Sequence, residues 1–201
     1  MTVDALRARL LDTLLNYHRV RAATAYVLHD GATRGRQAVA LRYTNVATPV
    51  EALPDFGAGD TLRSALEAID RYAKERLAHD AFLALIAALE EFVSAWLRAH
   101  GAKPTGTLGK LLGDVQKTAG LADTLSAVED AAEVRERRNC FIHEHGAPSD
   151  AYEKAAAKVV SRYPAVVPAA GSVARLPCDG AYLAHVVDVF VRYARRLPPT
   201  P

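Results

Sequence analysis

Apolar residues recur at three- and four-residue intervals along most of this chain, the spacing that places them on one face of an α-helix. The N-terminal pattern predicts a first helix from Val3 to about Val20, with helical character continuing toward Gly31. Its apolar face comprises Leu6, Leu10, Leu11, Leu14 and Leu15. Residues 33–59 are the least regular part of the chain, because glycines and prolines interrupt the pattern, and only residues 38–43 resemble a short strand.

A second long apolar pattern follows Asp60, which is a candidate N-cap. It predicts either one helix of ~60 Å that ends at Gly101 or two helices that break near His79 and Asp80. Its apolar positions in the C-terminal part are Phe82, Leu85, Ile86, Leu89, Phe92, Val93, Trp96 and Leu97.

Four more helices are predicted downstream, over residues 104–117, 123–145, 150–163 and 179–196. The first has Leu108, Leu111, Leu112 and Val115 facing inward and ends at Gly120. Asp150 with Glu153 resembles a capping box for the third. The last has an apolar face of Leu183, Val186, Val187, Phe190 and Val191.

Composition agrees with a helical protein, since alanine is abundant and aromatic residues are only 7% of the chain. Half of the residues are hydrophobic and 24% are charged, as in globular proteins. The sequence therefore predicts an all-α fold. We expect residues 1–59 to form an N-terminal helix and irregular segment packed on a helical domain of residues 60–201.

The net charge of +2 is too small to coat the surface, so a nucleic-acid binder of this composition needs clustered positive charge. No apolar run reaches the ~18 residues of a membrane span. The N-terminus carries an early acid, Asp4, and does not resemble a signal peptide. Cys140 and Cys178 are distant in sequence and are expected to be reduced. These observations predict a cytoplasmic protein without contact with the membrane.

The segment from Arg135 to Gly146, with the sequence R-E-R-R-N-C-F-I-H-E-H-G, is the richest in candidate chemistry. On a helix Asn139 and His143 lie one turn apart on the same face, and Arg135 lies one turn before Asn139. Arg138 diverges from His143 by about 140°, but its long side chain can reach a common pocket. Phe141 and Ile142 are expected to hold this helix against the core.

An arginine five residues before a histidine is a weak signal alone, but Asn139 directly after Arg138 and the position near a helix end sharpen it. The run Arg138 to His143 resembles the R-x(4–6)-H signature of the HEPN superfamily, whose members are small all-helical domains that include many prokaryotic ribonucleases. The resemblance covers about residues 60–196. It implies a bundle of four to five core helices with an N-terminal helical extension. Some members have a modifiable tyrosine two residues after the histidine, where this chain has His145.

The resemblance implies a metal-independent endoribonuclease that needs no cofactor and leaves 2′,3′-cyclic phosphate and 5′-hydroxyl ends. In that interpretation His143 is the general acid or base, Arg138 stabilises the transition-state charge, and Asn139 orients the histidine or bonds the phosphate. Weaker candidates for contacts with the RNA backbone are Arg135, Arg137 and His145. The resemblance also implies a homodimer with the two motifs facing each other. It further implies a role as a toxin or in phage defence and an antitoxin or sensor partner.

Other interpretations remain open. In one, Arg138 pairs with Glu136 or Glu144 on the surface, and the helix dipole favours His143 at the C-terminus. In another, the domain binds RNA or a partner protein without cutting it. Arg135 and Arg137 would then belong to an exposed charged face. A metal pair of His143 and His145 is disfavoured, because residues two apart on a helix diverge. On the last helix, Tyr182, His185 and Asp188 are spaced to approach the motif helix or to line the core.

Overall fold

Helices form the regular structure of the residues described in this computed structural model, 1–34 and 62–199. The helices are α1 (Val3–Arg34), α2 (Leu62–Glu75), α3 (Leu77–Ala99), α4 (Leu108–Ala119), α5 (Ser126–His143), α6 (Asp150–Val159) and α7 (Gly180–Ala194). The prediction of an all-α protein is confirmed for these residues. The strand-like residues 38–43, the N-cap at Asp60 and the domain boundary between residues 59 and 60 lie outside the described residues.

The chain divides into two compact units, which are described separately. One unit consists of Met1–Leu14 and Ala81–Pro201, and the other of Leu15–Asp80. In the first unit, α5 packs against both α6 and α7. In the second unit, α2 ends at Glu75 and α3 begins at Leu77, so the predicted break occurs a few residues before His79. There the Tyr72 hydroxyl donates to an Asp80 carboxylate oxygen at 2.9 Å.

The core of the first unit follows the apolar patterns of α3, α4 and α7. All eight predicted positions of α3, all four of α4 and all five of α7 are buried. In α1 the pattern is only half correct, because Leu6 and Leu10 are fully buried whereas Leu11 and Leu15 are 38% and 50% exposed. A 32-residue helix with leucines on two sides cannot bury all of them against one neighbouring surface.

Three helix ends have defined caps, and at Gly120 the cap is the one that the sequence predicts. Gly120 ends α4 in the left-handed conformation, with φ of 65°, and Asp179 caps α7 by accepting the Tyr182 backbone N–H at 2.9 Å. The predicted capping box of α6 is wrong by one residue. Ser149, not Asp150, accepts the N–H of Tyr152 at 3.2 Å.

Within residues 1–34 and 62–199, none of the helices combines the length and apolar character that crossing a membrane requires.

Candidate active site at the end of helix α5

Helix α5 ends at His143, two residues earlier than predicted. The N–H groups of Glu144 and Gly146 both donate to the Cys140 carbonyl oxygen at 2.9 Å, which closes the last turn. His145 and Gly146 both have positive φ, 51° and 87°. His143 is therefore the last helical residue, and His145 lies in the turn that reverses the chain.

Gly146 has a conformation and a location that both favour glycine. Its φ is positive, and a Cβ atom built on it would lie 3.3 Å from the Cδ1 atom of Phe141. Its carbonyl oxygen also accepts the Leu176 N–H at 2.8 Å. The turn after α5 is thus fixed to both the helix and a distant loop.

Replacing Gly146 by alanine is expected to lower the free energy of unfolding by about 1–3 kcal/mol, because alanine must adopt positive φ and displace Phe141. Gly113→Ala in α4 is the control. A Cβ atom there meets no described atom within 4 Å, so it should leave stability unchanged or raise it by about 0.5–1 kcal/mol. Urea denaturation measures both. Equal stabilities of the two variants would contradict the assignment.

The face of α5 that packs on the core combines apolar residues with three charged ones. Its buried apolar residues are Ala127, Val128, Ala131, Val134 and Cys140. Asp130, Glu133 and Arg137 are exposed by only 1%, 0% and 0%. Ile142, predicted to anchor the helix, is instead 42% exposed, and Phe141 is half-buried with its ring edge on Phe82, at a centroid distance of 5.7 Å. Buried hydrogen bonds therefore act together with apolar contacts to hold α5 in place.

Arg137 is the centre of these buried bonds. Its Nε donates to Glu133 Oε1 at 2.9 Å, and its Nη2 donates to the Tyr152 hydroxyl at 2.9 Å. The guanidinium carbon lies 3.7 Å from the centroid of the Tyr182 ring. Further donors reach the carbonyl oxygens of Val166 at 3.1 Å and Pro177 at 3.0 Å. The prediction that Arg137 contacts RNA is wrong, because every part of its side chain is enclosed.

The same network provides hydrogen-bond partners for the buried Glu133 carboxylate. Its second carboxylate oxygen accepts the Tyr182 hydroxyl at 3.2 Å. Burial raises the pKa of the Glu133 carboxyl, while the Arg137 guanidinium and the Tyr182 hydroxyl act in the opposite direction. Tyr182 thus reaches the motif helix, as its spacing suggested, and its role there is in the core.

The opposite face of α5 carries a chain of hydrogen bonds with Glu136 at its centre. Arg135 Nε donates to Glu136 Oε1 at 2.8 Å, and the Arg135 Nη2 atom donates to the same oxygen. Asn139 Nδ2 donates to Glu136 Oε2 at 3.1 Å. Arg138 Nη1 in turn donates to Asn139 Oδ1 at 3.3 Å. Glu136 therefore pairs with Arg135 and not with Arg138, the pairing that the sequence left open.

The structure brings two of the three predicted catalytic residues into contact. Arg138 and Asn139 are hydrogen-bonded to each other, while His143 is exposed one turn further along the helix, and the bonds of Arg138 and Asn139 do not extend to it. Arg138 Nε is buried and has no acceptor among the described residues. A buried donor left without an acceptor costs about 1–3 kcal/mol.

The two remaining candidates for RNA contacts lie on either side of this face. Arg135 is 32% exposed and packs beside α4, with its Cδ atom 3.4 Å from where a Cβ on Gly109 would lie. His145 is exposed in the turn after α5. Across residues 1–34 and 62–199, no group of three or more histidine, cysteine, aspartate or glutamate side chains is arranged to hold a metal ion.

A second polar cluster surrounds Asp130, further from the end of α5. Its carboxylate accepts Arg162 Nη2 at 2.7 Å, Arg192 Nη1 at 2.9 Å and the Tyr163 hydroxyl at 3.0 Å. The His185 ring lies against Tyr163, with centroids 4.5 Å apart. The arginines are each 33% exposed, and their charges are balanced by nearby carboxylates, so this cluster joins α5 to the segments that follow it.

Stability is expected to fall with acid partly because of His185. Burial, with the Arg192 and Arg137 charges adding to it and Asp130 and Asp188 opposing it, lowers its pKa to about 4, against about 6.5 in the unfolded chain. The unfolded state therefore binds the proton first, and this contribution is complete above pH 6.5 and lost as the pH falls toward 4.

The check is urea denaturation at pH 7 and pH 5 for the wild type and His185→Phe, which keeps a ring beside Tyr163. We expect the wild type to lose about 1 kcal/mol more than the variant between these pH values, after allowance for solvent screening. His185→Gln, also uncharged, should match the phenylalanine variant. Parallel losses in all three proteins would assign the acid sensitivity to other groups.

Sequence reasoning missed Glu133, Tyr152 and the burial of Arg137. One signal was available, since Glu133 and Arg137 are four residues apart and can form an ion pair on a helix. That spacing is equally typical of exposed helices, so it does not identify a buried pair. The tyrosines that complete the network come from α6 and α7, and their approach is a property of the tertiary fold.

The candidate site thus combines an arginine with an unsatisfied donor, an amide that contacts it and an exposed imidazole on one helix. Such a set can bind an anion and transfer a proton. Comparison of the chain with protein-family models, with curated protein sequences and with solved structures finds no match. The site is therefore interpreted from its own residues.

Proposed function

We propose that this protein is an endoribonuclease that cleaves RNA without a metal ion and leaves 2′,3′-cyclic phosphate and 5′-hydroxyl ends. The observation that carries the proposal is the unsatisfied Arg138 Nε donor beside Asn139, on the same helix as the exposed His143. A phosphate oxygen is the acceptor that an arginine donor prefers, and imidazole is the side chain most often used for proton transfer in catalysis.

In the proposed reaction each of the three residues has a separate role. The RNA 2′-oxygen forms a bond to the adjacent phosphorus, and the bond from phosphorus to the 5′-oxygen breaks. His143 takes the proton from the 2′-hydroxyl or gives one to the departing 5′-oxygen. Arg138 stabilises the charge that develops on the phosphoryl oxygens, and Asn139 holds Arg138 through its amide oxygen.

A single His143 cannot be base and acid at the same moment, so a second copy of the chain is part of the proposal. In a homodimer whose motifs face each other, one His143 acts as the base and the other as the acid. Arg135 and His145, on either side of the motif, contact the RNA backbone. The proposal places the protein in the cytoplasm with a HEPN-like bundle, as a toxin or phage-defence enzyme restrained by an antitoxin or sensor protein.

A second candidate function is a helical module that binds RNA or a protein without cutting it. It is favoured by Ile142, which is 42% exposed immediately before His143, since a large exposed apolar residue beside polar groups is typical of an interface. It is also favoured by Glu136, whose carboxylate neutralises Arg135 and reduces the positive charge of this face.

The test is incubation of the pure protein with total RNA and with defined single-stranded and hairpin RNAs in the presence of a chelator. We expect cleavage fragments whose 3′ ends gain a ligatable hydroxyl only after the cyclic phosphate is opened and the resulting phosphate is removed, and whose 5′ ends accept phosphate from a kinase. Fragments with 5′-phosphate ends would contradict the mechanism. Intact RNA across all substrates, with measurable binding, would favour the second candidate.

A further inference from the structure

Glu136 is an acid at the centre of a face whose proposed task is to bind phosphate. Its side chain is only 13% exposed, and both of its oxygens are used. One accepts from Arg135 Nε at 2.8 Å, and the other accepts from Asn139 Nδ2 at 3.1 Å. A carboxylate here repels an incoming phosphate, so its presence needs a reason other than RNA affinity.

The bond from Asn139 Nδ2 to Glu136 decides which way the Asn139 amide faces. Because the nitrogen donates to Glu136, the oxygen is turned toward Arg138 and accepts Nη1 at 3.3 Å. An amide rotated by 180° would place its NH2 group against the guanidinium, where two sets of donors would oppose each other. Glu136 thereby determines the orientation of Arg138 through one intermediate side chain.

Arg135 holds the carboxylate itself in place. Its Nε and Nη2 atoms both bond Glu136 Oε1, and its stem packs beside Gly109 of α4. The four side chains therefore form one connected series in which Arg135 anchors Glu136, Glu136 orients Asn139 and Asn139 orients Arg138. The series ends at the Nε atom that has no acceptor in the described part of the chain.

We propose that Glu136 is a positioning residue of the ribonuclease site, which it serves by orienting Asn139 and, through it, Arg138 toward the scissile phosphate. This inference rests on the proposed function. It also predicts that substitutions of Glu136 affect RNA binding and the chemical step in opposite directions. Removing the negative charge should strengthen binding of RNA, because a repulsive charge is lost, whereas removing the acceptor should slow the chemical step, because Arg138 is no longer held.

The experiment compares the full-length wild type, Glu136→Ala and Glu136→Gln. Rates are measured on a short RNA under single-turnover conditions with protein in excess. Affinity is measured with the same RNA carrying a 2′-deoxy group at the cleaved position, which cannot react. Thermal unfolding of each variant provides the check on folding. Glutamine has no charge and only one oxygen, which can accept from Asn139 Nδ2 while the acceptor of Arg135 is lost. It therefore tests whether the bond to Asn139 maintains the cleavage rate without the charge.

We expect Glu136→Ala to cut at least 10-fold more slowly than the wild type while it binds the unreactive RNA as tightly or more tightly. Glu136→Gln should restore the cleavage rate to within about threefold of the wild type. Three results would each overturn the positioning role. The first is a wild-type rate in Glu136→Ala, and the second is an equal loss of rate in both variants. The third is a loss of rate that follows a loss of RNA affinity or of folded structure. A wild type that binds but never cuts RNA overturns the ribonuclease proposal and the positioning role with it, a result distinct from the other three.

Discussion

An Arg137→Met variant is expected to lose about 3–5 kcal/mol of unfolding free energy, the largest stability effect of any single substitution on helix α5. The reason is the charge left behind rather than the contacts removed. Glu133 is fully buried, and without Arg137 its carboxylate keeps the hydroxyl groups of Tyr182 and Tyr152 as partners but no positive charge. An unpaired buried charge costs several kcal/mol even after the surroundings relax.

The loss is measured by urea denaturation and, if the variant is too unstable to purify, by a graded series. Tyr152→Phe removes one acceptor of Arg137 and should cost about 1.5–3 kcal/mol. The Glu133→Leu/Arg137→Met double variant should be more stable than Arg137→Met alone, since no charge remains buried.

Arg9→Met is the matched control, because Arg9 pairs with Glu91 where the side chains are 48% and 58% exposed. It should cost at most about 1 kcal/mol. Equal losses for Arg9→Met and Arg137→Met would show that burial of the network has no energetic role.

Replacing His143 by alanine is expected to slow RNA cleavage about 10²- to 10⁴-fold, the usual contribution of a general acid or base. Because His143 is exposed at the end of α5, the same substitution should change the unfolding free energy by no more than about 0.5 kcal/mol. This combination of a large kinetic effect and a small stability effect separates a catalytic side chain from a structural one.

His145→Ala is the control, since it removes an exposed imidazole two residues away and should change the rate only a few-fold. Arg138→Ala should reduce the rate by at least as much as a lost transition-state donor does, about 10²- to 10³-fold. Single-turnover rates with a chelator present provide the comparison. Cleavage that persists in both His143→Ala and Arg138→Ala would exclude this site as the catalytic centre, and a pH–rate profile unchanged by His143→Ala would exclude that residue alone.

The sequence predicted helices α3, α4 and α7 closely because burial there follows a single rule. Each has an apolar face repeated at helical spacing, so the pattern identifies both the element and its inward side. For α5 the rule fails, since its inward side contains Asp130, Glu133 and Arg137. A charged residue is usually exposed, and only partners from other helices make its burial favourable.

The candidate site was predictable to a similar extent. The exposure of His143 lies within what spacing along one helix can indicate. The bond between Arg138 and Asn139 does not, because adjacent residues point about 100° apart around a helix. The burial of Arg137 was not predictable, because adjacent arginines look alike in a sequence. The bonds of Glu136 were not predictable either, because they depend on the side-chain conformations of Arg135 and Asn139. Arg137 and Arg138 point about 100° apart around the helix, so one is enclosed by the core and the other borders the site.

That both arginines share one helix has a consequence for genetic data on this protein. A survey of substitutions scored only by loss of activity would give Glu133, Arg137, Arg138 and His143 the same phenotype. The first two would fail through low abundance, since a loss of 1–2 kcal/mol already changes protein levels several-fold in cells. Scoring abundance beside activity would divide helix α5 lengthwise into two halves, and the activity-specific half would trace the outline of the site.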